Sequence, residues 1–376
     1  MFPAYASTVR NDIAGCWGTY HEAVAHHARY ACAFPSRMPM TDATDRAAAR
    51  LHWTRETLHE SALRLAPASS DASFRSYWRG ARVDGRSVIV MDAPPAREDI
   101  RPWLDIAARL RAAGLAAPEV YASDTAQGFI AMQDLGNATY LPLLNSQSVD
   151  PLYEAALDAL LAMQRHTDCR GLPPYDAPRL IAEVELLPTW FLERHLGHEL
   201  ACGDWDILEL AFTRLTEAAL AQPRVFVHRD FHSRNLLALT HGGPGIIDFQ
   251  DAVCGALTYD LVSLLKDCYI VWPVAQVRRW ALDYRARTVA AGLWPAARDD
   301  ADFLRAFDLT GLQRHLKVLG IFCRLYYRDG KAGYLGDLPR VLAYALEAAR
   351  AYPEFAVLAA LLERASAGHD LTLPRP

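Results

Sequence analysis

Several familiar signposts are missing from this chain. Its seven cysteines (16, 32, 169, 202, 254, 268 and 323) include no C-x-x-C pair, and an odd, scattered set argues for reduced thiols in a cytoplasm. No apolar run reaches the ~18 residues of a transmembrane helix, and the longest, near Ile270 and Val318, are broken by charge or proline. No strong basic stripe occurs and the net charge is −5, so neither nucleic acid nor an anionic membrane is an expected partner. Neither G-x-x-x-x-G-K-[ST] nor G-x-G-x-x-G is present. Internal repeats and low-complexity linkers are absent as well. The first 40 residues have no basic start and no continuous apolar core, which argues against a secretory signal. His21, His26 and His27 in that stretch read as scattered surface histidines, with metal binding as the alternative. Met38 or Met40 is a candidate start, which mass spectrometry of the native N-terminus would settle.

What is present is an ordinary globular composition, 52% hydrophobic and 22% charged over 376 residues, long enough for two domains or one bilobal unit. The pattern from Thr41 to Ala66 is helical, with Leu51, Leu58, Ala62 and Leu65 near one face. Pro67 to Ser73 reads as a loop of small residues. Strands are expected at 74–80, 86–91, 119–122 and 128–132, with a helix over 98–113 between the second and third. Gln133-Asp-Leu-Gly136 suits a hinge. Beyond it the chain reads as mostly helical: 151–166, 178–196, 204–221 and several segments from 258 to 365.

The stretch with the most chemistry is Val227-His-Arg-Asp-Phe-His-Ser-Arg-Asn-Leu-Leu237, followed by Gly245-Ile-Ile-Asp-Phe-Gln250. It reads as H-x-D-x-x-x-x-N, then a hairpin, then an aspartate after a buried strand. Phosphoryl transfer from ATP needs such a set: a carboxylate to accept the acceptor hydroxyl's proton, and an amide and a second carboxylate to hold Mg²⁺ on the phosphates. Asp230 is the candidate base, and Asn235 and Asp248 are the candidate metal ligands. The structural alternatives are a helix cap for Asn235 and a turn carboxylate for Asp248. His228 reads as a structural hydrogen-bonding residue. The expected fold is therefore α+β and bilobal, protein-kinase-like, with a small β-rich N-lobe (41–133), a larger mostly helical C-lobe (134–376) and a poorly defined extension (1–40). Ser69-Ser-Asp-Ala-Ser73 is the best candidate phosphate loop, its small side chains letting backbone N–H groups approach phosphate. The nucleotide-binding set is Ser70, Ala72, Ser73 and Arg75, with Met132 and Asp134 at the hinge.

These residues resemble the aminoglycoside phosphotransferase and choline kinase-like family, over roughly Leu51 to Tyr352. Within it, Asp71 to Arg79, Met91 to Pro95, Glu185 to Gly197, His228 to Asn235, and Ile247 to Ala252 with Thr258 to Tyr269 resemble the anomeric sugar kinases of peptidoglycan recycling. The resemblance implies a Mg-ATP-dependent cytoplasmic kinase acting on the anomeric hydroxyl of N-acetylmuramate or N-acetylglucosamine. The rivals are a kinase for another small acceptor, such as an aminoglycoside, and a nucleotide-binding pseudokinase.

Two departures from the usual kinase pattern stand out. Val88-Ile-Val-Met-Asp-Ala93 has no lysine to reach the α- and β-phosphates, so another cation must serve; Arg75 and Arg79 are nearest in sequence, each with a solvated strand residue as the alternative. Gln250 stands where many kinases have glycine. Asp260 reads as an anchor for the catalytic loop's backbone, and its short distance from Asp248 leaves no room for a protein-kinase activation segment. For the acceptor, the candidates are Glu185, His232, Arg234 and Asp267. Glu183 cannot face the same way as Glu185 on a helix, and a solvated helix face is the alternative for both. Trp190 offers an apolar face, Arg234 suits a planar anion such as a lactyl carboxylate or phosphate, Lys266 is a further candidate contact, and His195 reads as structural.

Overall fold

The computed structural model describes residues 40–70, 74–240 and 242–375. The chain divides into two compact units, one up to Glu56 and one from Thr57 to Pro376. The first is represented by most of helix α1 (Met40–Leu58). The expected helix to Ala66 thus ends earlier, and Leu65–Ser70 forms strand β1 rather than a loop. Small residues and a proline disguised it: β1 lies at the edge of its sheet, with a register shift at Pro67/Ser69, and a sheet edge tolerates a missing N–H donor.

The second unit opens with a five-stranded antiparallel sheet in the order β1-β2-β3-β5-β4, where β2 is Ser76–Ala81, β3 Ser87–Asp92, β4 Val120–Asp124 and β5 Phe129–Gln133. Helix α2 (Arg101–Ala112) crosses between β3 and β4 and buries Trp103, Ile106, Ala107 and Leu110. The sheet ends at Gln133, the first residue of the expected hinge. The rest is mainly helical: α3 (Val149–His166), α4 (Ala177–Val184), a π helix (Leu187–Leu196), α5 (Cys202–Leu220), α6 (Tyr259–Leu265), α7 (Val274–Ala290), α8 (Asp300–Tyr327), α9 (Leu338–Ala351) and α10 (Ala356–Ser366). Two short antiparallel ribbons interrupt the helices, β6 (Arg224–Val227) with β9 (Val253–Ala256) and β7 (Leu236–Leu237) with β8 (Gly245–Ile246).

One apolar core joins Met91, Ile130 and Met132 of the sheet to Trp103, Phe249 and α3. A second gathers α5, the π helix, α8, α9 and α10. The expected helix over 178–196 is two helices with a change of pitch between them. Gly320 of α8 lies against this junction: a Cβ there would meet the Leu186 carbonyl carbon and oxygen at 2.4 Å, so the two backbones touch. Cys169 and Cys254, 85 residues apart, are joined by a disulfide, which corrects the expectation of seven reduced thiols. The fold brings them together because Tyr175 donates its backbone N–H to the Cys254 carbonyl at 2.8 Å, and sequence spacing carries no trace of that contact. Among the described residues no helix is long and apolar enough to cross a membrane.

Candidate active site

The β7–β8 ribbon builds the centre of the site. Its register pairs Leu236 with Ile246, so the residues just beyond, Asn235 and Ile247, also face one another, and Ile247 N–H donates to the Asn235 carbonyl at 3.2 Å. Asp248 follows with φ +63°, and Arg229 has φ +77°, a left-handed backbone that costs a non-glycine residue about 1–3 kcal/mol and persists only when surroundings enforce it. The Asn235 amide nitrogen donates to the Asp230 carbonyl at 3.0 Å and to Asp248 at 3.4 Å. That leaves the amide oxygen as the atom to meet a cation. Asp248 also receives Gln250 Nε2 at 2.9 Å and Arg75 at 3.5 Å.

The catalytic loop is held from beneath by two carboxylates. Buried Asp260 accepts the backbone N–H groups of His228 at 2.7 Å and Arg229 at 2.9 Å, the anchoring expected of it. Burial pushes its carboxyl up to about 7, against the pull of those two donors. Asp267 accepts the Ser233 N–H at 3.1 Å, the Ser233 hydroxyl at 2.5 Å and the Tyr269 N–H at 3.1 Å, and is 1% exposed. It is turned to the loop rather than to open space, whereas the sequence offered it as an acceptor contact. Lys266 is likewise spent, 3.2 Å from both Asp308 and Glu347.

Of the paired glutamates, it is Glu183 that enters the site's framework. It bonds Tyr175 and Arg229 and lies 3.1 Å from Lys317; Glu185, the expected acceptor ligand, lies at the α4 C-terminus. His228 is fully buried, its Nε2 3.1 Å from the Ile247 carbonyl, and burial lowers it to about 4, so it is neutral and structural as read. His195 is bound to the Tyr327 hydroxyl and the Leu371 carbonyl, each at 3.0 Å, and is structural too. His232 is buried beside Tyr269, and burial lowers its pKa. Asp230 carries the opposite balance. Burial alone would raise its carboxyl, but the charges of His232, Arg314, Lys317 and Arg229 outweigh burial and hold it at about 2.

A cavity of about 500 Å³ opens between the sheet and this loop. Tyr77, Ile89, Trp103, Met132 and Phe249 give it apolar walls, with Asn235 and Asp248 among its lining. Met132 and Asp134 both line it, but Asp134 is clamped by Arg79 at 2.6 and 3.0 Å. The sequence left Arg75 and Arg79 equal as substitutes for the strand lysine. In the fold Arg79 is tied to the hinge, and Arg75 reaches the Asp248 end. Ser70 ends β1, and Ala72 and Ser73 lie outside the described residues. Arg234 lines this same cavity, exposed, with its guanidinium 3.5 Å from the centre of the Tyr269 ring. Lys317 and Arg314, both on α8 some 80 residues downstream of the motif, were missed by sequence reasoning. Only their buried position in a long helix could have marked them.

Residues 64–299 match the phosphotransferase enzyme family. The chain belongs to that family. It is 47% identical to an N-acetylmuramate/N-acetylglucosamine kinase of Pseudomonas aeruginosa, over 79% of this chain and 87% of that protein. A protein of the same name from Neisseria meningitidis is 40% identical, covering 83% and 93%. Among solved structures, a Plasmodium vivax ethanolamine kinase superposes with a TM-score of 0.60 at 11% identity, covering 90% of this chain and 96% of that one. The ADP-bound aminoglycoside phosphotransferase APH(2'')-Ib gives 0.53 at 15%, covering 80% and 98%. At such identities these two speak for the fold alone, which is the expected bilobal kinase-like one. Membership of the family makes this phosphotransferase a kinase.

Proposed function

We propose that this kinase moves the γ-phosphoryl group of ATP to the anomeric hydroxyl of N-acetylmuramate or N-acetylglucosamine, as a cytoplasmic enzyme of cell-wall recycling. The observation that carries the reading is the Asn235 amide, which bonds both the Asp230 carbonyl and Asp248 where Asn235 and Asp248 line the cavity, in a chain 40–47% identical to relatives named for those two sugars. The adenine end fits the apolar walls by Met132 and Trp103, and the phosphates fit the Asn235–Asp248 end with Arg75 beside them. Asp248 and the Asn235 amide oxygen are hard oxygen donors suited to Mg²⁺, which usually takes one or two protein ligands and keeps the rest for phosphate and water. When bound there, Mg²⁺ would neutralise charge on the phosphates.

Asp230 takes the proton as the sugar oxygen bonds to the γ-phosphorus and the bond to the departing ADP breaks. A carboxylate held near 2 is a weak base, which suits an acceptor more acidic than an ordinary alcohol, and an anomeric hydroxyl is one. A free reducing end is then essential. Both sugars should consume ATP and their 1-O-methyl glycosides should not, with ³¹P NMR showing the product phosphorus coupled to H1. Coupling to H6, or equal turnover of the methyl glycosides, would overturn the anomeric assignment and reopen the aminoglycosides and other small alcohols as acceptors. Absence of transfer to any acceptor, with nucleotide still bound, is the pseudokinase outcome.

A further inference from the structure

Helix α8 turns a polar row toward α6 and the catalytic loop. Thr310 bonds the Thr258 hydroxyl at 2.9 Å, and Lys317 Nζ donates to the Tyr259 hydroxyl at 3.1 Å. Arg314 stands four residues after the first and three before the second, so the helical period puts it on the same face. Its guanidinium is 5.8 Å from the centre of the Tyr259 ring, and the residue is 3% exposed. Among the described residues no hydrogen bond or ion pair engages that guanidinium, and its Nε has no partner. The neighbouring cations differ. Lys317 and Arg229 share Glu183, and Lys266 has Asp308 and Glu347.

The carboxylates whose charge reaches Arg314 are Asp230, Asp260 and Asp267. Asp260 and Asp267 spend their oxygens on the catalytic loop, and Asp230 is the base. A guanidinium carries five N–H donors in a fixed fork, matched by a planar carboxylate. Buried without acceptors it is unfavourable, and an anion arriving with a ligand corrects that. The nucleotide phosphates are not the natural anion, because Arg314 does not line the cavity that Asn235 and Asp248 share. Arg234, which the sequence offered for a lactyl carboxylate, lines that cavity instead.

We propose that Arg314 is the acceptor's anion site, taking the lactyl carboxylate of N-acetylmuramate while the anomeric hydroxyl faces Asp230. The inference rests on the reading of N-acetylmuramate as an acceptor, and it makes Arg314 the residue that separates the acidic sugar from its neutral counterpart.

The test uses the full chain with Mg-ATP and three acceptors: N-acetylmuramate, its methyl ester and N-acetylglucosamine. Wild type should prefer acid over ester by about 30-fold or more in kcat/KM, the usual scale for removing one partner of a buried charge pair. In Arg314→Met that ratio should fall to about 1, mainly through KM. Loss of Asp230's neighbouring charge would lower all three acceptors together and leave the ratio untouched. A ratio that stays at its wild-type value in Arg314→Met overturns the proposal. So does a wild type that treats acid and ester alike, a measurement that stands even if the variant fails to fold. Wild type that phosphorylates neither sugar would instead sink the acceptor reading itself.

Discussion

Asp230 and Asp248 are both aspartates on one short stretch, yet their surroundings assign them different work. Asp230 is ringed by His232, Arg314, Lys317 and Arg229 and stays ionised. Asp248 is set beside Asn235 and Arg75 at the cavity's mouth. Replacing Asp230 with Asn keeps shape and removes the proton acceptor, so kcat should fall by about 10²–10⁴ with ATP affinity nearly unchanged. Steady-state kinetics beside nucleotide titration would show it, and near wild-type turnover in a folded variant would remove Asp230 from the role. The metal ligands should separate in a different way. Asp248→Ala loses a charged oxygen and Asn235→Ala a neutral one, so raised Mg²⁺ should rescue nucleotide binding in Asn235→Ala better than in Asp248→Ala. Calorimetry across a Mg²⁺ series measures this, and identical ATP affinity in wild type and Asp248→Ala at every Mg²⁺ level would count against the assignment.

The catalytic loop is short, and neighbouring elements set its shape. Asp260, from the first turn of α6, and Asp267, just past its end, capture backbone N–H groups at two points of the loop. The left-handed Arg229 and Asp248 are tolerated because these anchors and the β7–β8 ribbon fix the chain on either side. Further back, α8 packs its Gly320 directly on the backbone at Leu186. Gly320→Ala has no room, since the atoms in the way are main chain, and should cost about 1–3 kcal/mol in a urea titration as α8 shifts from the α4–π junction. An unchanged unfolding midpoint would mean that the contact yields freely.

For the molecule as a whole, charge and burial tie folding to pH through Asp230, the residue proposed as the base. Asp230's carboxyl lies at about 2, below the ~3.9 of an unfolded aspartate. A depressed carboxylate contributes stability that is present above the unfolded value and is lost as pH falls through the folded one. Wild type should therefore be more stable than Asp230→Asn at neutral pH, with the gap closing as pH drops from about 4 toward 2. Denaturant titrations along that series check the sign, and a gap that widens on acidification would reverse it. The chemistry at neutral pH should show no inflection from Asp230.

The bilobal arrangement was legible in the sequence by itself, and the proposed hinge and the proposed trio Asp230, Asn235 and Asp248 were drawn from it, because each rests on local chemistry: period-two strands, a turn at Gln133 to Gly136, and ligand types at a fixed spacing in one hairpin. Family membership follows from the same stretches. What only the tertiary structure decided depends on contacts between segments far apart in the chain. The edge strand β1 exists because β2 pairs with it, despite a composition that reads as loop. Arg79 is held at the hinge because Asp134, 55 residues away, takes its guanidinium, and Arg75 lies at the Asp248 end. Glu183 entered the site's framework because Arg229 and Lys317 converge on it. Asp267 became a loop anchor, Cys169 met Cys254, and Arg314 came to rest against the Tyr259 ring, all through packing of α6, α8 and the β6–β9 ribbon. A side chain's type limits what it can do, and its neighbours in space decide which of those things it does.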